Sequence, residues 1–274
     1  MSASTILVHP THTFPSLVPE VRSSTIQKPK ALLPKMLQGK SITVGRLLSQ
    51  VQPQPKQAIL LGQCQDGLPI LMGLEDPTMG AILVSGENSC GKTHQLQVMV
   101  DSALRLHTPD ELQISILTLH PEEWAYLKVD CQQQPSIHAW YDRRLEKMIK
   151  ELSNLAEGRR DGKGHQTRHM MILDDLNFVE YLSYEAQMTI HWLLTYGSRL
   201  GFTMITTINS VYYNDYRYWI DIFRTRILGR TDLQEVADGL AMRSGSRAET
   251  LAPGYYCVWS EHDWLTYRLP LLGD

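Results

Sequence analysis

The distribution of apolar and polar positions becomes regular from residue 58 onward. Short apolar runs, typical of buried strands, alternate with stretches whose apolar residues recur every three or four positions, which is typical of amphipathic helices. The predicted strands are Ala58–Gly62, Leu68–Leu74, Ala81–Ser85, Gln113–Leu119, Met170–Leu173, Phe202–Ile208 and Thr225–Leu228, and the predicted helices are His94–Leu106, Asp142–Glu157 and Tyr184–Tyr196. The first two strands flank an Asp-Gly turn and predict a β-hairpin. The alternation that follows predicts an α/β domain with a mainly parallel central sheet covered by helices on both faces.

Residues 1–57 differ from the rest of the chain in composition. They contain seven of the 14 prolines and seven Lys/Arg against a single acidic residue, Glu20, whereas the whole chain has a formal net charge of −3. Many prolines and weak periodicity argue against a place in the core. We therefore predict a basic N-terminal arm over 1–57 and a folded domain over 58–274. The arm either lies on an acidic partner, which is nucleic acid or the acidic body of a neighbouring subunit, or is a solvated tail.

The overall composition excludes several classes of protein. A chain of 274 residues with 43% hydrophobic and 20% charged residues is typical of a globular protein with one sizeable core. No apolar stretch approaches the ~20 residues that span a bilayer, and the N-terminus does not resemble a signal peptide. Cys64, Cys90, Cys131 and Cys257 form no C-x-x-C pair. They are interpreted as free thiols in a reducing compartment, which predicts a cytoplasmic protein without membrane insertion.

The strongest motif follows the strand Ala81–Ser85. Residues 86–93 read Gly86-Glu87-Asn88-Ser89-Cys90-Gly91-Lys92-Thr93. They match the phosphate-binding loop G-x-x-x-x-G-K-[ST] in its required place between a strand and a helix. Glycines let such a loop turn its N–H groups toward phosphate oxygens, and the N-terminus of the helix adds partial positive charge. All eight residues are predicted to bind ATP, with Lys92 at the β- and γ-phosphates and the Thr93 hydroxyl on Mg²⁺.

The predicted strand Met170–Leu173 ends in two acidic residues, Asp174 and Asp175. An apolar strand that ends in a carboxylate can deliver it to a metal at the carboxyl edge of a parallel sheet. Asp174 is therefore the predicted second Mg²⁺ ligand, and Asp175 is the predicted base that orients the attacking water. The alternative is an ordinary strand end. The phosphate-binding loop that precedes this strand in the sequence favours the metal-ligand interpretation.

Most of the chain from Gly67 to Leu272 resembles the motor domain of the FtsK/HerA-like ATPases, a branch of the RecA-like P-loop NTPases. Besides the loop, the resemblance is carried by Leu68–Ile70, His107–Leu112, Arg143–Met148, Gly201–Asn209, Arg224–Arg230 and Leu251–Tyr256. This chain departs from the family pattern at Ser89, where a glycine is usual, at Asp175, where a glutamate is usual, and at Asn209, where a glutamine is usual.

The resemblance implies a homo-oligomeric ring, commonly hexameric, that threads double-stranded DNA and binds ATP between subunits. It implies that Asn209 is a sensor of the γ-phosphate. It also implies that an arginine completes the site of a neighbouring subunit, for which Arg226 and Arg230 are the leading candidates and Arg199 the third. In such a site the arginine neutralises charge on the transferring phosphoryl group.

Two functions follow from these observations. The first is an ATP-hydrolysing ring motor that translocates or packages double-stranded DNA. The second is a nucleotide-gated binding subunit or scaffold, with slow or absent hydrolysis, that docks a protein partner. The basic loop Gly158–Arg168 and the aromatic stretch Tyr212–Trp219 are candidate DNA contacts. A solvated loop and a helix that packs its aromatic side chains on the core are the alternatives.

Overall fold

The computed structural model describes residues 6–7, 42–53, 55, 57–128, 134–163, 167–260 and 262–273. Its helices are α1 (Val44–Ser49), α2 (Lys92–Leu106), α3 (Leu145–Arg160), α4 (Tyr184–Tyr196), α5 (Arg217–Ile220) and α6 (Gln234–Ala241). Its strands are β1 (Ile6–Leu7), β2 (Ala58–Cys64), β3 (Pro69–Gly73), β4 (Ile82–Gly86), β5 (Leu112–Thr118), β6 (Ser136–Ala139), β7 (Arg168–Asp174), β8 (Phe202–Asn209), β9 (Thr225–Leu228), β10 (Tyr255–Ser260) and β11 (Asp263–Arg268). Every element predicted from the apolar pattern is present, with ends shifted by at most three residues.

The strands form one sheet in the order β1-β3-β2-β11-β10-β9-β4-β8-β7-β5-β6. The block from β9 to β6 is parallel. Beyond β9, the strands β10, β11, β2 and β3 pair antiparallel with one another. The predicted α/β fold with a mainly parallel sheet is therefore confirmed. Because the central strands run the same way, the carboxyl ends of β4, β7, β8 and β9 meet at one edge.

The central strands are buried because helices cover both of their faces. Every position of β4 and β8 is buried, as expected for interior parallel strands. Side chains alternate between two cores: Ile82 and Val84 pack in the core that includes α2, whereas Leu83 packs in the core that includes α3 and α4. This arrangement fixes the carboxyl edge of the sheet as a rigid platform.

The end of the predicted N-terminal arm packs on the domain. Helix α1 buries Val44, Leu47 and Leu48 in a third core that includes Leu60 of β2 and Val98 of α2. Thr43 caps this helix, since its side chain accepts a hydrogen bond from the backbone N–H of Arg46. Most of residues 1–41 lies outside the described residues, so an arm over that stretch stays a prediction. Its boundary at residue 57 divides α1 from the strand on which it packs.

The cysteines in the described part of the chain form no disulfide. Cys64, Cys90 and Cys257 are free thiols, and Cys131 lies outside the described residues. Burial raises the pKa of Cys64 to about 11 and the pKa of Cys257 to about 12, so both thiols stay protonated near neutral pH. No helix in the described part of the chain has the length and apolar character needed to cross a bilayer.

Candidate nucleotide-binding site

The predicted phosphate-binding loop connects β4 to α2. Gly86 ends β4, and a Cβ atom there would lie 2.7 Å from Cys90 Sγ and 3.1 Å from the carbonyl oxygen of Arg230, so only glycine fits. Gly91 has φ 102° immediately before α2 begins at Lys92. The loop therefore ends on the N-terminus of a 15-residue helix. This is the arrangement that binds phosphate through backbone N–H groups and the helix dipole.

Two residues at variable positions of the loop, Ser89 and Cys90, differ in conformation and burial. Ser89 has φ 60°, in the left-handed region where the family usually has glycine, and its side chain is exposed. A non-glycine residue there costs about 1–2 kcal/mol. The Cys90 side chain is buried, with Sγ 3.7 Å from the hydroxyl oxygen of Tyr256. Cys90 therefore packs beneath the loop, and its thiol does not face the phosphate side.

Lys92 and Thr93 lie at the mouth of the loop. The Lys92 ammonium donates to the carbonyl oxygens of Gly86 at 3.2 Å and Glu87 at 2.7 Å. The Thr93 hydroxyl donates to Oδ1 of Asp174 at 3.4 Å. A cation and a hydrogen-bonded hydroxyl–carboxylate pair thus stand at the same end of the sheet, although Thr93 and Asp174 are far apart in the sequence.

Asp174 ends β7 and is buried. Its Oδ1 also accepts a hydrogen bond from Thr207 Oγ1 at 3.1 Å, and its Oδ2 accepts one from Trp124 Nε1 at 3.3 Å. Burial raises the pKa of Asp174 to about 6, and the neighbouring carboxylate of Asp175 adds to this rise, while the Thr207 hydroxyl opposes it. The hydrogen bonds therefore hold the carboxylate in one orientation, and burial destabilises its ionised form. A bound cation would offset that destabilisation.

The oxygen atoms of Thr93 and Asp174 fit a magnesium ion. Hydroxyl and carboxylate oxygens are hard ligands, and Mg²⁺ in nucleotide sites takes one or two protein ligands and completes its shell with phosphates and water. The described residues contain no group of three or more His, Cys, Asp or Glu side chains that could hold a metal ion. A pair of protein oxygens suits a metal whose other ligands are the phosphates of a nucleotide and water.

Asp175 and Asn209 flank this pair. The Asp175 side chain accepts a hydrogen bond from the backbone N–H of Asn177 at 3.2 Å. Burial raises the pKa of Asp175, whereas that hydrogen bond and the charge of Lys92 oppose the rise. Asn209 ends β8 beside Gly86, and its Nδ2 donates to Asn88 Oδ1 at 2.8 Å. The predicted base and the predicted sensor thus lie at the same edge as the loop, and the sensor contacts the loop directly.

The arginines predicted to complete a neighbour's site occupy different environments. Arg226 is 6% exposed, and its guanidinium donates to the carbonyl oxygens of Phe223 at 3.1 Å, Leu240 at 2.7 Å and Ile220 at 2.8 Å. Burial lowers the pKa of Arg226 to about 10, so it stays charged. An enclosed guanidinium with three carbonyl partners cannot reach another subunit, and the expectation for Arg226 does not fit this placement.

Arg230 lies on the surface beside the loop. Its guanidinium pairs with Asp232 at 3.2 Å, and its carbonyl oxygen accepts a hydrogen bond from the backbone N–H of Glu87 at 2.8 Å. The Glu87 carboxylate in turn accepts from the backbone N–H of Asp232. Arg230 therefore borders the loop of its own subunit. Arg199 is exposed on the turn that precedes β8, at the opposite edge of the sheet.

The candidate DNA contacts are partly engaged within the domain. Arg159 donates to the carbonyl oxygens of Leu200 and Thr167, and Arg168 donates to that of Leu74. In the aromatic stretch, Tyr216 is buried and donates to Glu180, as the packing alternative predicts. Among the described residues of the two segments, the exposed cationic and aromatic side chains are Arg160, Lys163, Tyr212, Arg217 and Tyr218.

Two residues of the site were missed by the sequence analysis: Trp124 and Thr207, both donors to Asp174. Thr207 had a detectable signal, since a polar residue near the carboxyl end of a buried strand points to a role at that edge. Trp124 had no such signal, because it lies 50 residues before Asp174, on the 3₁₀ helix that follows β5.

The chain resembles solved structures but matches no protein-family model and no curated protein. EssC (ATPases 2 and 3) from Geobacillus thermodenitrificans has a TM-score of 0.65 and 17% identity, over 86% of this chain and 45% of that one. EccC (ATPases 2 and 3) from Thermomonospora curvata, in complex with a signal sequence peptide, has a TM-score of 0.64 and 12% identity, over 85% and 44%. The pCW3 conjugation coupling protein TcpA, with ATPγS, has a TM-score of 0.61 and 14% identity, over 78% and 66%.

The chain thus spans less than half of the two ATPase chains from EssC and EccC. The likeness at these identities concerns the fold, and it agrees with the motifs and with the geometry of the carboxyl edge. The chain has the fold of the FtsK/HerA-type P-loop ATPases, as its motifs predicted.

Proposed function

We propose that the chain is an ATPase that binds Mg²⁺–ATP on residues 86–93 and uses its hydrolysis to move double-stranded DNA through a homo-oligomeric ring. The observation that supports it most is the convergence of Lys92, Thr93 and Asp174 at one edge of the sheet. Lys92 and Thr93 begin α2, and Asp174 ends β7. Thr93 and Asp174 are 81 positions apart in the sequence, yet Thr93 Oγ1 lies 3.4 Å from Asp174 Oδ1. A chance match to the loop motif would not place a buried carboxylate beside the motif's hydroxyl.

In this proposal each residue has a distinct task. The Lys92 ammonium leaves the carbonyl oxygens of Gly86 and Glu87 and pairs with the β- and γ-phosphates. Thr93 and Asp174 hold Mg²⁺, which neutralises charge on the phosphate oxygens when it is bound. Asp175 accepts a hydrogen bond from the attacking water and orients it. Asn209 exchanges its hydrogen bond with Asn88 for one with the γ-phosphate, and so registers the state of the nucleotide.

The shared site of the ring is proposed to use Arg230. Among the two leading arginines, Arg230 is the one with an exposed guanidinium, and it stands at the edge where the nucleotide binds. Its bond to Asp232 is a surface ion pair, which is worth little and is readily exchanged. For Arg230 to complete a shared site in a ring, the neighbouring subunit would present its own nucleotide, through a different surface, to this exposed guanidinium.

The second candidate function is a nucleotide-gated subunit that docks a protein partner. It is favoured by the engagement of Arg159 and Arg168 within the domain, which leaves fewer cations for DNA. One structural neighbour, EccC, is in complex with a signal sequence peptide. The short side chain of Asp175, one methylene less than glutamate, also favours slow hydrolysis.

The first experiment tests nucleotide binding. Lys92→Ala removes charge-assisted hydrogen bonds to phosphate, each worth about 1.5–3 kcal/mol, and we expect ATP affinity to fall about 10- to 100-fold by calorimetry. Lys147→Ala, an exposed lysine on α3, is the matched control and should bind ATP as the wild type does. Equal affinity in all three proteins would contradict the nucleotide site.

The second experiment separates the motor from the scaffold. For a motor, turnover of ATP should increase when double-stranded DNA is added and should increase steeply with protein concentration. Arg230→Ala should lower the rate by about 10³–10⁵ if this arginine stabilises the phosphoryl group, and ATP binding should persist. For a scaffold, turnover is low, independent of DNA and independent of protein concentration. That result would contradict the motor and support the second candidate function, the nucleotide-gated subunit.

A further inference from the structure

The indole of Trp124 is the buried partner of the metal-side carboxylate. Trp124 lies on the 3₁₀ helix Pro121–Lys128, which follows β5, and it is 0% exposed. It belongs to the same core as Leu96 of α2 and Ile172 of β7. Its Nε1 lies 3.3 Å from Oδ2 of Asp174. A side chain that could have been any large apolar residue is thus a hydrogen-bond donor aimed at the site.

The hydrogen bonds divide the two oxygens of Asp174 between different partners. Oδ1 accepts from Thr207 at 3.1 Å and from Thr93 at 3.4 Å. Oδ2 accepts from Trp124 at 3.3 Å. Rotation of the carboxylate about its Cβ–Cγ bond, short of a half-turn that exchanges its two equivalent oxygens, would break all three contacts. Trp124 and Thr207 are both 0% exposed, and Trp124 is the donor on the Oδ2 side of the carboxylate.

The chemistry of the donor suits this task. The indole Nε1–H is a donor only, so it can neither bind a metal nor accept a proton. It carries no charge, and therefore it does not form an ion pair with Asp174 that would compete with a cation. Groups that hydrogen-bond a ligating carboxylate orient it, and their removal typically weakens metal binding or activity by about 10- to 100-fold.

We propose that Trp124 is a positioning residue that orients the Asp174 carboxylate so that it and the Thr93 hydroxyl face the same Mg²⁺ ion. This inference rests on the proposed ATPase function. Trp124 does not touch the nucleotide or the reacting atoms. Its effect is confined to the metal-dependent part of nucleotide binding, which distinguishes it from a residue that only fills the core.

The test compares nucleotide binding with and without metal. Trp124→Phe keeps an aromatic ring in the core and removes the N–H group. We expect its affinity for a fluorescent ADP analogue in EDTA to equal that of the wild type, whereas the Mg²⁺ concentration that gives half of the metal-induced gain in affinity should rise about tenfold or more. Trp140→Phe, at a 47% exposed tryptophan, is the control and should behave as the wild type.

A second pair of variants protects the test from a folding defect. If Trp124→Phe fails to fold, benzothienylalanine at position 124 replaces the N–H by sulfur at nearly the same shape. Thr207→Val removes a donor to the other oxygen of Asp174 and should also raise the Mg²⁺ concentration that gives half of the metal-induced gain in affinity. A folded Trp124 variant with the Mg²⁺ dependence of the wild type would overturn the inference alone. A wild type that binds the nucleotide equally with EDTA and with Mg²⁺, or not at all, would overturn the metal site of the proposed function, and this inference with it.

Discussion

Arg226 provides the sharpest test of how the arginines divide between structure and chemistry. Its guanidinium fills a buried space and donates to three backbone carbonyl oxygens, those of Ile220, Phe223 and Leu240. These carbonyls belong to the end of α5, the segment before β9, and α6. Arg226 therefore joins α6 to the stretch of chain that leads from α5 into β9. Replacement by alanine leaves a cavity and three buried carbonyl groups without this donor.

The size of the effect follows from these contacts. A hydrogen bond to a charged group is worth about 1.5–3 kcal/mol, and an unsatisfied buried acceptor costs about 1–3 kcal/mol. The net loss of stability is smaller than the sum of these contributions, because the alanine variant no longer has to bury a charged guanidinium. By comparison with broken buried ion pairs, we expect Arg226→Ala to lower the free energy of unfolding by about 3–5 kcal/mol. With a urea m-value of about 3 kcal/mol per molar, the midpoint should fall by about 1–1.7 M.

The assay is urea unfolding followed by circular dichroism, with Arg230→Ala as the matched control. Arg230 is exposed, so its replacement should change the free energy of unfolding by less than about 0.5 kcal/mol. ATP turnover should rank the two variants in the opposite way when it is measured at urea concentrations at which both are folded. Under these conditions Arg230→Ala loses turnover, whereas Arg226→Ala keeps a measurable rate. An Arg226→Ala protein with wild-type stability and no turnover would refute the structural role.

Two further predictions concern stability. Burial lowers the pKa of His169 to about 4, with the charge of Arg159 adding to the effect. An unfolded histidine titrates near 6.5, so the stabilisation is complete above pH 6.5 and is lost as pH falls toward 4, by up to about 3 kcal/mol. His169→Phe should remove this part of the pH dependence of urea unfolding, and an unchanged profile would contradict the assignment. In α1, Leu47→Ala should cost about 2–5 kcal/mol because Leu47 is fully buried. The exposed control Arg46→Ala should have little effect, and equal stability of both would show that α1 contributes nothing to the domain.

The local part of the architecture could be read from the sequence. Strand and helix positions follow from the period of the apolar residues, which is a property of ten or fifteen neighbouring positions. The phosphate-binding loop is equally local, since its glycines, Lys92 and Thr93 lie within eight consecutive residues. Asp174 could be identified because a parallel strand that ends in an acid points to one edge of the sheet. Each of these inferences needs only a short window of sequence.

The strands β10 and β11 and the helix α1 could not be read in this way. β10 and β11 form an antiparallel hairpin that inserts between β9 and the β2–β3 hairpin, and so joins the hairpin to the main sheet. α1 has only six residues, within a proline-rich and basic stretch. Its apolar residues are buried because β2, β3 and α2 supply the surface on which they pack.

The roles of single polar side chains were decided by the tertiary structure alone. Arg226 lies on a strand between β4 and β10, with α6 packed against it, so no face of that strand remains for an exposed arginine. Trp124 and Thr207 meet at Asp174 because β7 lies between β5 and β8 in the sheet. A hydrogen bond depends on the direction and distance of two atoms to within a fraction of an ångström. The sequence by itself determines which groups are available at the carboxyl edge, and only the strand order and register decide which of them meet.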